Sequence, residues 1–152
     1  MTSEQGNTNT AVLLTTGQED ATIKQQRTGR KILSPSVIRF SQSSVNDSAQ
    51  IIESMKKDGW NGEPIDIVLM PDGKYTTIDN TRVYAAQQAG IDVVANVHEY
   101  SEKIIDRKRA IQLSRGRKVP QTWGEAVLNR IAGQNRAFRL NQYGDWIMMN
   151  PK

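Results

Sequence analysis

Thr77-Ile78-Asp79-Asn80-Thr81-Arg82-Val83-Tyr84, running on into Ala85-Ala86, is the stretch on which the reading of this chain turns. Gly73 to Ile78 reads as a strand, a polar Asp-Asn-Thr-Arg corner follows, and the small-residue run after it has the make-up of the first turns of a helix. Such a corner leaves backbone N–H groups unpaired at the helix start and sets a guanidinium beside them, a physical recipe for holding phosphate. Any chemistry in this chain is expected here.

Outward from the corner the elements alternate. On its N-terminal side, Ile65 to Met70 is strongly β-forming, Pro71-Asp72-Gly73 has the composition of a tight hairpin turn, and Lys74 to Ile78 returns as the next strand. Trp60-Asn61-Gly62-Glu63-Pro64 is a turn-rich connection. Before it, Ser48 to Lys57 is predicted helical, capped by Asn46 or Asp47, with Ile51, Ile52 and Met55 on one face and Asp58-Gly59 as its stop. Ile32, Leu33, Val37, Ile38 and Phe40, interrupted by Pro35, favour a strand or a strand pair with a turn, followed by the polar loop Ser41-Gln42-Ser43-Ser44. On the C-terminal side a helix from Thr81 to Gln88 stops at Ala89-Gly90. A strand from Asp92 to His98 then puts Val94, Asn96 and His98 on one face and Val93, Ala95 and Val97 on the other. The class is α+β, with a small mixed sheet.

Three sections follow from this pattern. Residues 1–30, rich in Thr, Gln, Asn, Ser and Gly with one short apolar run at Ala11 to Leu14, read as a flexible linker that ties down one short strand at most. Residues 31–100 form the α+β core. Residues 101–152 are a basic helical extension of the same domain. There a helix is expected from Ser101 to Ser114, with Ile104, Ile105, Ala110, Ile111 and Leu113 as its apolar face. The basic loop Arg115-Gly116-Arg117-Lys118-Val119-Pro120 breaks it. A second helix then starts at Trp123, capped by Thr122 with Glu125 in the capping-box position.

Composition narrows the chemistry. At 152 residues, 37% hydrophobic and 24% charged, the chain fits one soluble domain. Its apolar runs are too short for a transmembrane helix, and its polar start is unlike a signal peptide. With no cysteine and a single histidine, His98, disulfides, thiolate catalysis and a multi-histidine zinc site are excluded. A metal would rest mainly on carboxylates, which points to a hard cation such as Mg2+. Charge is uneven: residues 1–100 hold 9 Lys+Arg against 12 Asp+Glu, and residues 101–152 hold 11 against 4. A basic section on a near-neutral body suits a polyanion partner, most plainly nucleic acid, and equally suits a solvated helical face.

A wider pattern carries a resemblance. Ile51-Ile52-Glu53-Ser54-Met55-Lys56-Lys57-Asp58-Gly59-Trp60, Pro64-Ile65-Asp66-Ile67-Val68, Asp72-Gly73-Lys74-Tyr75, Asp79-Asn80-Thr81-Arg82-Val83-Tyr84-Ala85-Ala86 and Ala89-Gly90-Ile91 together resemble the ParB/sulfiredoxin superfamily over about residues 38–98. ParB-like proteins carry Gly-x-x-Arg or Gly-His-Arg at this corner; here it is Asp79-Asn80-Thr81-Arg82, so Arg82 alone carries over cleanly. Sulfiredoxins need a cysteine at the corner, which rules out sulfinic-acid reduction for this chain. With Phe40-Ser41-Gln42-Ser43-Ser44-Val45-Asn46 and Thr122-Trp123-Gly124-Glu125-Ala126-Val127 added, the chain looks like the ParB-like domains at the tips of bacterial polymorphic toxins, including contact-dependent growth-inhibition and Rhs effectors. That resemblance implies a nuclease acting on DNA or RNA in the target-cell cytoplasm, delivered by a larger secreted or cell-surface effector and neutralised by a cognate immunity protein. Two other expectations stay open: a module that binds or hydrolyses CTP or ATP, and a DNA-binding protein without catalysis.

The candidate residues follow. Arg82 binds phosphate at the helix start or pairs with Asp79 to brace the turn. Asp79 ligates Mg2+ or another divalent cation, activates a water, or caps the helix. Asn80 and Thr81 donate to phosphate or make a turn. His98 is the side chain suited to proton transfer near neutrality, or it is a packed strand residue. In the ParB-like arrangement Gln42, Ser43 and Ser44 lie on the same edge, to hold phosphate or ribose or simply to form a loop. Asp66 starts a strand that should be largely buried and therefore needs a partner. Trp60 and Trp123 are expected to be core anchors, with base-stacking platforms as the alternative, and Arg115, Arg117 and Lys118 suit sequence-independent backbone binding. Arg130 and Glu125 are expected to be surface support.

Overall fold

The tight turn Pro71-Asp72-Gly73 sets the centre of the sheet. Gly73 takes φ 81°, its N–H donates to Met70 O at 2.8 Å, and Met70 N–H donates to Lys74 O at 2.8 Å. The two strands it joins, β3 (Ile65–Leu69) and β4 (Tyr75–Thr77), therefore pair antiparallel. A computed structural model describes residues 26–148. Within them β1 (Gly29–Leu33) leads through a 3-10 turn, Pro35–Val37, into the two-residue β2 (Ile38–Arg39), so Pro35 splits the apolar stretch as its missing N–H requires. Helix α1 is Ala49–Asp58, α2 is Asn80–Ala89, and β5 is Val93–Glu99. Helices α3 (Arg107–Gln112), α4 (Trp123–Ala132) and α5 (Arg136–Arg139) complete the chain. The sheet order is β1-β5-β3-β4-β2, with β5 parallel to β3, β2 parallel to β4, and β1 antiparallel to β5. The fold is α+β with a small mixed sheet and a C-terminal helical extension.

Both faces of β3 are covered, which is why its sequence is nearly continuous in apolar residues. Ile65, Ile67 and Leu69 join Val93, Ala95 and Val97 of β5 in one core with Met55 of α1 and Val83, Ala85 and Ala86 of α2. Val68, Met70 and Ile78 face the other way and form a second core with Leu113, Trp123, Val127, Ile131 and Phe138. The helices after residue 100 thus pack against the second face of the sheet. Among the described residues no helix is long and apolar enough to cross a membrane.

Several expectations are corrected. The helix expected over Ser101 to Ser114 is only α3, because Asp106 caps it late, accepting from Lys108 N at 3.0 Å and Arg109 N at 3.3 Å. The preceding residues are drawn into an extended bridge, Lys103 with Thr122, and Ile104 N–H donates to Gln121 O at 2.9 Å. Ile105 is consequently 95% exposed and Ile111 50%, so neither belongs to an apolar face. Ser48 holds the N-cap position of α1, not Asn46 or Asp47, and Asp47 takes φ 57° in the approach. Gly29 and Arg30, placed by sequence in the linker, belong to β1; the apolar run Ala11 to Leu14 lies outside the described residues.

The chain's last described turn is tied back to the sheet. Phe40 and Asp145 exchange backbone hydrogen bonds of 2.7 and 3.0 Å, and Gly144 passes so close that a Cβ there would lie 2.4 Å from Phe40 O. Gly144 also has φ 107°, outside the range comfortable for L side chains. Gly144→Ala is therefore expected to cost about 3 kcal/mol. A chemical-denaturation midpoint equal to wild type would refute this.

Candidate functional site

Asn80 builds the corner. It is 2% exposed; its Oδ1 accepts from Ser41 N at 2.7 Å, and its Nδ2 donates to Ser41 Oγ at 3.0 Å, Gln42 Oε1 at 3.1 Å and Ile78 O at 3.3 Å. All of these partners are on the 41–44 loop or the strand end, so the side chain locks that loop to the start of α2. Thr77 assists, its Oγ1 accepting from Asp79 N at 3.0 Å and its carbonyl accepting from Ser41 Oγ at 2.7 Å. Asp79 caps α2 by accepting from Arg82 N at 3.2 Å, and its Oδ2 takes Arg82 Nε at 2.9 Å. Arg82 also donates from Nη1 to Glu63 O at 2.7 Å and lies over the Trp60 ring at 5.1 Å. The bracing geometry weighed for Arg82 is present, and its far side lines an open cavity of about 270 Å³ with Gln50, Ser54 and Asn61. Thr81 is half-buried in the first turn of α2.

From the corner the contacts run into the extension. Gln42 Oε1 accepts from Asn80 and also from Arg130 Nη1, while Gln42 Nε2 donates to Ser44 O at 3.2 Å. Ser43 donates from its N–H to Gln134 Oε1 at 3.0 Å and accepts from Asn135 at 3.5 Å. Arg117 donates to Ala132 O at 3.1 Å and Asn129 donates to Lys118 O at 3.0 Å, which pins the exposed loop of Arg115, Arg117 and Lys118 along α4. Burial, and next the charge of Arg115, lowers the Arg130 pKa to about 10; Asp79 opposes that shift and Arg109 adds to it. The corner, the 41–44 loop and α4 are therefore joined by one run of hydrogen bonds.

His98 occupies a neighbouring cluster. Its Nε2 meets Asp66 Oδ1 at 2.9 Å, its Nδ1 meets Glu102 Oε2 at 2.7 Å, and its ring stacks on Trp123 with centroids 3.9 Å apart and planes 11° from parallel. Arg109 Nη2 donates to the other Asp66 oxygen at 3.1 Å. Burial alone would push the imidazole down, but the bonds from Asp66 and Glu102 and their charges raise it above the ordinary histidine value. Burial would likewise push Asp66 up, and His98 and Arg109 together hold it below the ordinary aspartate value. Both ring nitrogens are thus occupied, and Asp66 has the partners its burial demanded.

Metal ligation at Asp79 does not fit this donor set. Among the described residues no group of three or more His, Asp or Glu side chains is placed to hold an ion, and both Asp79 oxygens are engaged by Arg82. Arg130, Gln134 and Arg109 join the site although sequence reasoning did not assign them to it. Arg130 had a signal: Trp123, Val127, Arg130 and Gln134 share one helical stripe, so this arginine sits in line with buried apolar residues. Glu125 is not its partner and instead accepts from Gln121 N at 2.8 Å at the head of α4.

No protein-family model matches the sequence, and no curated protein matches it. Among solved structures the chain is similar to sulfiredoxin from Arabidopsis thaliana, at 23% identity over 46% of this chain and 84% of that one, with a TM-score of 0.38.

Proposed function

We propose that this chain is the effector domain of a bacterial competition toxin, a nuclease that cleaves phosphodiester bonds of DNA or RNA in the target-cell cytoplasm. A larger secreted or surface-displayed effector delivers it, and a cognate immunity protein covers its site. One observation carries the reading: Gln42 is shared by Asn80 of the corner and Arg130 of the basic extension, so three separate stretches meet at one polar, cationic edge. The resemblance of residues 38–98 to ParB-like domains and the excess of basic residues after residue 100 support it.

In this reading the arginines take the phosphate backbone and stabilise the charge that develops on its oxygens. Asp79, oriented by Arg82, takes a proton from an attacking water as its oxygen bonds to phosphorus, and the bond from phosphorus to the leaving sugar oxygen breaks, that oxygen taking a proton from solvent. His98, held at both nitrogens, steadies Asp66 and through it Arg109.

The purified chain incubated with plasmid DNA and total RNA tests the proposal, together with Arg82→Ala and Asp79→Asn. Cleavage of one nucleic acid is expected, falling about 100-fold or more in either variant. Inside bacteria, nucleoid staining and RNA integrity would report the same target. Binding with a steep salt dependence but no cleavage, even with magnesium, manganese or zinc supplied, would make the chain a non-catalytic binder. Heat stabilisation by CTP or ATP without degradation would make it a nucleotide module.

A further inference from the structure

Ile105 stands where the fold gives it nothing to pack on. The bridge from Lys103 to Thr122 holds the chain before it extended, and Asp106 after it turns its carboxylate onto the N–H groups of Lys108 and Arg109 to start α3. Between these two fixed points the isoleucine is left 95% exposed. It is not isolated, because it lines an open groove of about 410 Å³ together with Ile104, Ala110 and Val119, and Lys103 and Arg107 line the same groove. Ala110 is buried and Ile104 half-buried, which gives the groove an apolar floor, while Ile105, Val119 and both cations are exposed.

The charge along this groove has one sign. No carboxylate lines it, and among the described residues neither Lys103 nor Arg107 forms an ion pair. The acids close to it along the chain are spent elsewhere: Asp106 on the cap of α3, Glu102 on His98, and Glu125 on the N–H of Gln121. Apolar surface flanked by unpaired cations is matched by a ligand that brings an apolar group and carboxylates together. Nucleic acid fits less well, since no aromatic ring lines the groove to stack a base and phosphates would leave Ile105 uncovered. A second copy of the chain also fits less well, since a two-fold pair would set Lys103 and Arg107 against their own equivalents.

We propose that this groove docks an acidic segment of a partner protein. One apolar side chain of that segment seats on Ile104, Ile105 and Val119, and carboxylates on either side of it meet Lys103 and Arg107. The site goes beyond the nuclease reading and does not depend on it; none of its residues belongs to the 79–82 corner or the 41–44 loop.

The test is selection of peptides from a random display library against the full chain, followed by fluorescence anisotropy of the best synthesised peptide. Enriched sequences are expected to carry an aliphatic or aromatic residue flanked by Asp or Glu. Binding should weaken at least about tenfold in Ile105→Asn and several-fold in Lys103→Gln and Arg107→Gln. All three side chains are exposed, so thermal unfolding of the variants should match wild type. Arg136→Gln, which removes an exposed cation on α5, should bind as wild type does and so separates the groove from general attraction of acidic peptides to a basic protein. No enrichment, or equal affinity in Ile105→Asn, overturns the proposal. So does a single-stranded oligonucleotide whose binding is the one that Ile105→Asn weakens, or a dimer in sedimentation that Ile105→Asn dissociates.

Discussion

Trp123→Ala is expected to lower the unfolding free energy by about 3–5 kcal/mol, the range for deleting a large buried aromatic side chain. Trp123 is 7% exposed and packs in the second core, so its loss leaves a cavity between α4 and the sheet. It also strips from His98 the indole on which its ring is stacked. Typical domains have only about 5–15 kcal/mol in total, so the urea midpoint should fall steeply while the slope stays unchanged. A loss below about 1 kcal/mol would mean that the extension and the sheet do not unfold as one unit. A lowered midpoint with a second, separate transition would say the same.

The fold was legible where local chemistry and tertiary packing agree. Ile65, Ile67, Val68, Leu69, Val93, Ala95 and Val97 are apolar because each packs into one of the two cores. Gly59, Gly73 and Gly90 mark their turns by a backbone angle that other residues resist. Thr122 announced α4 by capping it, accepting from Glu125 N at 3.2 Å. Residues 101–106 depart from the expected helix because their helix-like spacing is overridden by a bridge to residue 122, and Asp106 caps the helix late. Such long-range pairing leaves little local trace.

The site was legible in part for a related reason. The corner residues are contiguous, so the chain itself brings Asp79, Asn80 and Arg82 together. Asn80 carries the most structural consequence, since a buried amide there replaces backbone flexibility with hydrogen bonds to the 41–44 loop. Asp66 showed that it needed a partner but not which one, because His98 and Arg109 reach it only through strand register and the position of α3. Arg130 was hidden by its charge. An arginine in an apolar stripe reads as surface support until the packing shows what lies across from it.

Asp66→Asn should cost about 2–4 kcal/mol near pH 5, because it removes the shared acceptor of two half-buried cations while keeping the side-chain volume. Its pH dependence follows from the two shifted groups. The Asp66 contribution is present above the ordinary aspartate value of 3.8 and is lost as pH falls through the depressed folded value. The His98 contribution runs the other way: it is complete below the ordinary 6.5 and is lost as pH rises through the raised folded value. Arg109 and Glu102 also face this pair, and the Arg109 share persists at alkaline pH. The stability gap between wild type and Asp66→Asn should therefore be widest between those two ordinary values, narrow toward acid, and narrow only partly toward about pH 9. Urea unfolding of both proteins across that range measures it. A gap that stays constant with pH would show that His98 does not carry its charge against Asp66, and Arg109 would then be the carboxylate's sole counter-ion in the cluster.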